Sequence, residues 1–241
     1  MGITVCTVSG KGGTGKSTVS SGLSIAAAQS GKSVLLIDLD CGLRCLDIIF
    51  GIDDKIVFDL SDALNSSDIK TATYKSLYYD NIDIIPAPLS PEPIDFRKLY
   101  SLVSPLQKDY DFIILDFPAG ADFNAYNIFS NALFLIVSNA DSVSLRDAAA
   151  ISNNIRLNTP PRLVLNRFNI EMIKCGIYKN IDSVIDTALT RLIGIVPDDT
   201  ELLTLSLNHK LKPKGRAVKA FSRILSRISG QAVPLPKLKK I

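Results

Sequence analysis

Short apolar, β-branched runs recur along the chain at Ile3 to Val8, Ser33 to Ile37, Ile82 to Ile85, Phe112 to Leu115, Leu133 to Val137, Arg162 to Leu165 and Ile193 to Val196. They are nearly continuous rather than alternating, the pattern of strands covered on both faces. Between them Lys16 to Ser30, Asp95 to Lys108, Ser144 to Asn154 and Ile181 to Arg191 carry apolar residues at helical spacing, as does Arg216 to Ser229 near the end. Strands alternating with helices predict an α/β protein, a three-layer α/β/α fold with a mostly parallel central sheet. Gly31 is placed to stop the first helix. The four prolines from Pro86 to Pro93 predict a stiff loop, and Asn158 to Pro161 a second break. With no internal repeat and no low-complexity linker, the reading is one domain over residues 1–230 and a short basic tail over 231–241.

Composition narrows the class. In a chain of 241 residues, 46% hydrophobic content is ample for a buried core. No apolar run approaches the roughly 18 residues that cross a bilayer, and Met1 to Cys6 leads straight into a strand rather than a signal peptide. The expectation is a cytoplasmic protein, or one peripheral at the inner face of the membrane. Cys6, Cys41, Cys45 and Cys175 form no C-x-x-C pair and no zinc pattern, so reduced thiols are expected. Cys41 and Cys45 are four apart and would face each other across a helical turn. The single histidine, His209, stands in a basic polar stretch and reads as a solvated residue. The net charge of +3 hides an asymmetry: Leu202 to Ile241 holds ten Lys and Arg and no acidic residue, which leaves the body at about −7. Such a split predicts an anionic partner for the C-terminal end.

The strongest chemical signal is Gly10-Lys11-Gly12-Gly13-Thr14-Gly15-Lys16-Ser17-Thr18, entered from a strand and followed by a helix. It satisfies the G-x-x-x-x-G-K-[ST] phosphate-loop spacing in the required context, which makes the predicted architecture a P-loop NTPase fold. Glycines let backbone N–H groups turn inward without a Cβ in the way, and the helix adds the positive end of its dipole. Lys16 is expected on the β- and γ-phosphates and the Ser17 hydroxyl on Mg²⁺, with ATP or ADP as the nucleotide.

Lys11, an extra lysine directly after the first glycine, makes the match more specific. The stretch Lys11 to Thr18 resembles the deviant Walker A motif of the MinD/ParA superfamily of ATPases, its MinD branch above all. That resemblance implies an ATP-sandwiched homodimer in which Lys11 contacts the partner copy's nucleotide; a solvated loop lysine is the alternative. Ile37-Asp38-Leu39-Asp40 through Leu46-Asp47 is similar to the same family, and implies that Asp40 orients the attacking water while Asp38 supports Mg²⁺ through its water shell. Lys11, Lys16 and Asp40 are thus the expected catalytic set. Physically, carboxylates this close to a triphosphate need a cation between them and it. Helix capping is the alternative use of either aspartate.

Phe112 to Leu115 followed by Asp116 has the shape of a Walker B strand whose carboxylate holds a magnesium-bound water, and Pro118-Ala119-Gly120 follows as a switch. Family members usually have Ser where Phe117 stands and an apolar-acidic pair where Ala121-Asp122 stands. Asp141 to Asp147 resembles a segment that puts Arg146 and Asp147 near the dimer face, or else is an ordinary capped helix start. Leu163 to Arg167 resembles the base-recognition strand, with Asn166 offering an amide to the adenine edge beside Arg167; Ile195 to Asp199 resembles the second base-lining loop, with Pro197 and Asp198. Plain strand-end turns are the alternative for both. The similar segments run from Ile3 to about Gly230.

Arg216 to Ser229 combines an apolar stripe with Arg216, Lys219, Arg223 and Arg227, and by resemblance it docks on the core rather than in a bilayer. Relatives usually continue into a separate amphipathic membrane helix. Here only Gln231 to Ile241 follow, and Pro234 and Pro236 oppose a long helix. The tail can touch an anionic membrane surface at about 1 kcal/mol per basic residue, bind DNA phosphates without sequence preference, or stay solvated. The combined expectation is an ATPase that dimerises with Mg-ATP, answers to an activating or effector protein, and places the division site. The alternatives are a ParA-type DNA-partitioning or flagellum-placement ATPase, a metallocentre-maturation ATPase, and a non-hydrolysing nucleotide-gated module.

Overall fold

The computed structural model describes residues 1–176, 179–203 and 215–236. His209, Lys210, Lys212, Lys214 and the lysines from Lys237 onward lie outside the described residues. The strands are β1 (Ile3–Val8), β2 (Val34–Asp38), β3 (Tyr74–Lys75), β4 (Ile82–Ile85), β5 (Phe112–Asp116), β6 (Leu133–Asn139), β7 (Arg162–Phe168) and β8 (Arg191–Pro197). They form one eight-stranded sheet in the order β3-β4-β2-β5-β1-β6-β7-β8, parallel throughout except for β3 at one edge. The helices are α1 (Lys16–Gln29), α2 (Leu46–Phe50), α3 (Leu60–Ser66), α4 (Phe96–Val103), α5 (Phe123–Ile128), α6 (Ser142–Asn154), α7 (Glu171–Lys174), α8 (Ile181–Ala188), α9 (Thr200–Leu203) and α10 (Arg216–Ile228).

Both sheet faces are covered, which is why the strands read as unbroken apolar runs. Leu35, Ile37, Ile113, Leu115, Phe134 and Ile136 point into one core with α3, α4, α5, α6 and α8. Their neighbours Val34, Leu36, Phe112, Ile114, Leu135 and Val137 point into the other, with α1, α2 and α10. The predicted α/β/α layering is therefore the observed one.

Several boundaries differ from the sequence reading. The helix expected from Asp95 to Lys108 breaks after Val103 into a 3₁₀ segment, Ser104–Lys108. Pro105 supplies no N–H to continue the helical ladder. The helix expected from Ile181 to Arg191 stops at Ala188, because Leu189 turns left-handed (φ 50°) and Arg191 already opens β8. β2, β5, β7 and β8 extend beyond the apolar runs read from the sequence, so that Asp38, Asp116, Asn166 and Pro197 belong to the sheet. Cys41 and Cys45 do not share a helical turn, since α2 begins only at Leu46. Gly31 does take the left-handed conformation expected of a helix stop, at φ 78°.

The C-terminal helix docks on the core as expected. α10 lies on α1 and β8, and two glycines permit the approach: Gly22 faces the Phe221 ring and Gly194 faces Ile224, so a Cβ at either would overlap its neighbour. Beyond the helix, Arg227 holds the chain with its whole fork, donating from Nη1 to Ile193 O (2.6 Å), from Nε to Val233 O (2.8 Å) and from Nη2 to Pro234 O (2.8 Å).

Candidate nucleotide site

The site forms at the carboxyl ends of β2, β5 and β1, where ligands of open α/β sheets bind. The chain leaves β1 at Val8, turns through residues 9–15 and enters α1. Gly13 (φ 79°) and Gly15 (φ 88°) adopt a conformation that costs other residues strain. Gly15 caps α1 with no side-chain hydrogen bond, so the first-turn N–H groups are left to an anion. The loop is braced from within, where Ser9 Oγ donates to Lys11 O (2.8 Å), and from outside, where Gly120 N donates to Ser9 O (2.9 Å).

A cavity of about 410 Å³ opens here, lined by Gly12, Gly15 to Thr18, Asp40, Pro118, Ala119 and Arg167. Lys16 is buried at the base of the loop, while Lys11 is exposed at its rim. The structure thus gathers the predicted residues Gly12, Gly13, Gly15, Lys16, Ser17, Thr18, Asp40 and Arg167 at one cavity. A larger cavity of about 1020 Å³ sits at the opposite end of the sheet, by Gln29, Lys32 and Asp111. It has neither a glycine loop nor a free helix N-terminus, so the smaller cavity is the candidate phosphate site.

Beneath the cavity two carboxylates stand side by side, because Asp38 of β2 pairs in register with Asp116 of β5. Both are buried. Burial and the charge of Asp116 push the Asp38 carboxyl up to about 7, against three backbone N–H groups that favour its charged form. Burial likewise raises Asp116, opposed by Ser17, Lys16, Ser20 and Thr7. Asp38 has its oxygens engaged: Oδ1 accepts from Asp40 N (3.0 Å), and Oδ2 from Cys45 N (3.2 Å) and Leu46 N (3.3 Å). The capping alternative is thus present at Asp38, not at Asp40. Asp116 differs, since its Oδ2 is buried and makes no hydrogen bond. An orphaned anionic oxygen beside a second carboxylate fits a cation or a cation-bound water.

The expected base region changes in one respect. Asn166 Nδ2 donates to Thr14 O (2.7 Å), so this side chain braces the phosphate loop and keeps only its buried, unpartnered Oδ1 free. Arg167 follows with a left-handed backbone (φ 48°) at a register shift between β7 and β8, and lines a small cavity of about 40 Å³ with Thr18, Pro197 and Asp198. Asp147 packs under the loop, where a Cβ on Gly10 would come within 2.6 Å of it. Asp141 caps α6, accepting from Ser144 N (2.9 Å).

Phe117, where relatives usually have Ser, points away from the cavity. It stacks on Phe96 at 5.5 Å and meets Tyr126, Phe129 and Phe134, so the residue serves the core while Pro118 and Ala119 line the site. Thr7 and Ser20, which the sequence reading passed over, both reach Asp116. Thr7 signals itself only as a hydroxyl in an apolar strand, and Ser20 is one of several hydroxyls in α1.

Comparison with known proteins agrees with this geometry. Residues 5–212 match the CobQ/CobB/MinD/ParA nucleotide binding domain. The chain is 34% identical over 252 residues to the septum site-determining protein MinD of Bacillus subtilis, covering all of this chain and 94% of that protein. Among solved structures it resembles the MinC:MinD cell division complex of Aquifex aeolicus, with a TM-score of 0.85, 30% identity and 98% of each chain covered. It also resembles MinD of Pyrococcus horikoshii complexed with Mg-ADP, with a TM-score of 0.77, 26% identity, and 95% of this chain and 96% of that one covered. The chain belongs to the CobQ/CobB/MinD/ParA nucleotide-binding family and is a MinD-like ATPase.

Proposed function

We propose that this ATPase binds Mg-ATP at the Gly10–Thr18 loop, forms a homodimer across the nucleotides, separates after hydrolysis, and so acts as a timed switch in division-site placement. The observation that carries the reading is the 410 Å³ cavity itself, with buried Lys16 and Asp40 in its lining and Lys11 exposed on the same glycine loop. Loop N–H groups and Lys16 bind the β- and γ-phosphates, and Lys11 reaches the nucleotide of the second copy. Asp40 places the attacking water, and Asn166 steadies the loop from behind. Ser17 would hold Mg²⁺, with Asp116 and Asp38 supporting it through water. When bound, the ion neutralises phosphate charge that develops in the transfer. The residues themselves do little covalent chemistry, and rate comes from position and electrostatics.

Partner and location follow from the same reading. The Aquifex aeolicus structure holds MinC with MinD, and we propose an effector protein for this chain as well. No helix among the described residues is long and apolar enough to cross a membrane. We propose cytoplasmic residence with peripheral attachment through the basic tail to anionic lipid. Sizing the protein with ADP and with ATP tests the switch: a monomer with ADP, a dimer with ATP and loss of that dimer in Lys11→Ala are expected. A monomer under every nucleotide condition would refute it. Pelleting with anionic vesicles against pelleting with DNA separates division-site placement from a ParA-type role.

A further inference from the structure

Three oxygens form a buried triangle at the end of β5: Thr7 Oγ1 to Ser20 Oγ 2.7 Å, Thr7 Oγ1 to Asp116 Oδ1 3.0 Å, and Ser20 Oγ to Asp116 Oδ1 3.0 Å. An ionised Asp116 only accepts, and each hydroxyl lies 3.0 Å from its Oδ1, within hydrogen-bonding distance. Both hydroxyls converge on that one oxygen and leave Oδ2 as the buried, unpartnered acceptor.

Neither hydroxyl needs Asp116 for its own satisfaction. Thr7 Oγ1 also lies 3.2 Å from Leu115 O, and Ser20 Oγ lies 3.1 Å from Lys16 O, the i−4 carbonyl that serine in a helix commonly uses. On packing grounds Val in β1 and Ala in α1 would serve equally well, since both sites are fully buried. The two residues also flank the phosphate loop, Thr7 on the strand that enters it and Ser20 on the helix that leaves it. Their shared contact ties both ends of the loop to the carboxylate.

We propose that Thr7 and Ser20 are positioning residues that fix the Asp116 carboxylate so that Oδ2 alone serves the magnesium-bound nucleotide. This rests on the Mg-nucleotide reading above. Outer-shell partners of this kind typically contribute about 10- to 100-fold to metal affinity.

The test measures nucleotide affinity by calorimetry with ADP, in MgCl₂ and in EDTA, for the full chain and for Thr7→Val, Ser20→Ala and Thr7→Ser. The ratio of the two affinities reports magnesium coupling without any turnover. The expected result is a ratio reduced roughly 10-fold or more in Thr7→Val and Ser20→Ala, with affinity in EDTA unchanged and Thr7→Ser like the wild type. Ser20→Ala introduces the best helix former into α1 and carries the test if Thr7→Val fails to fold. Wild-type ratios in both apolar variants, or equal losses in Thr7→Ser and Thr7→Val, overturn the positioning role alone. A wild-type chain whose affinity is the same in MgCl₂ and in EDTA overturns the underlying reading as well.

Discussion

The docking of α10 against α1 can be tested by a reversal of sign. Gly22 lies inside α1, where replacing glycine by alanine ordinarily stabilises a helix by about 1 kcal/mol. Here the new Cβ would come within 2.3 Å of the ring of Phe221, itself almost fully buried. Overpacking a filled core costs about 1–3 kcal/mol, so the clash wins and Gly22→Ala is expected to destabilise by about 1 kcal/mol net. Phe221→Ala alone is expected to cost roughly 3–5 kcal/mol, the usual range for a buried phenylalanine. In that background the ring is gone, the clash vanishes, and Gly22→Ala should stabilise by about 1 kcal/mol. The two residues are thus coupled by about 2 kcal/mol, within the range for side chains in direct contact.

Urea unfolding of the four proteins in the cycle measures this, provided that the denaturant slope stays constant so that midpoints report stability. If Gly22→Ala stabilises the wild type, or has the same sign in both backgrounds, α10 does not sit on Gly22 and the argument fails. The result also bears on function, because an apolar stripe committed to α1 is not free to enter a bilayer.

Further predictions follow from single contacts. Arg227→Ala should free residues 231–236 and speed proteolysis there, and Arg227→Lys should not restore protection, because an ammonium cannot reproduce a fork that meets three carbonyls. Burial pushes the Cys45 thiol up to about 12, so iodoacetamide at pH 8 should label exposed Cys175 well before Cys45; equal rates measured by peptide mass would refute this. The Ser33 N–H and the Lys32 ammonium hold the Asp111 carboxyl below its ordinary 3.8. A lowered carboxyl stabilises the fold above its ordinary range and loses that contribution as pH falls through its folded value. Urea unfolding from pH 6 to pH 2 should therefore show a steeper acid loss in the wild type than in Asp111→Asn, and parallel curves would contradict it.

The fold was legible where burial alone decides the pattern. Unbroken runs such as Val34 to Ile37 or Phe112 to Leu115 face apolar layers on both sides, so their hydrophobicity reports the sheet directly. It was less legible where one residue ends an element against the pattern. Leu189 is apolar and in phase with α8, yet it turns left-handed, and the adjacent Thr190 hydroxyl bonds Pro161 O as the chain enters β8. β3 has only two residues and pairs through Tyr74 and Lys75, too short to leave a period.

The phosphate loop could be read from spacing because its chemistry is local: consecutive glycines, one lysine and one hydroxyl act through the backbone that joins them. The supports of the loop are of another kind. Asn166 Nδ2 bonds Thr14 O across 152 positions of chain, and Thr7 reaches Asp116 across 109. The amide expected at the adenine edge also holds a loop carbonyl through its Nδ2, a contact that depends on where β7 lies beside the loop. The same holds for the aspartates: Asp38 and Asp116 are equivalent as strand-terminal carboxylates, but α2 begins over Asp38 and delivers N–H donors to it, while β1 and α1 bring hydroxyls to a single oxygen of Asp116. Motif spacing thus locates the candidate anion site, and the difference between its two carboxylates arises only from the elements that converge on them.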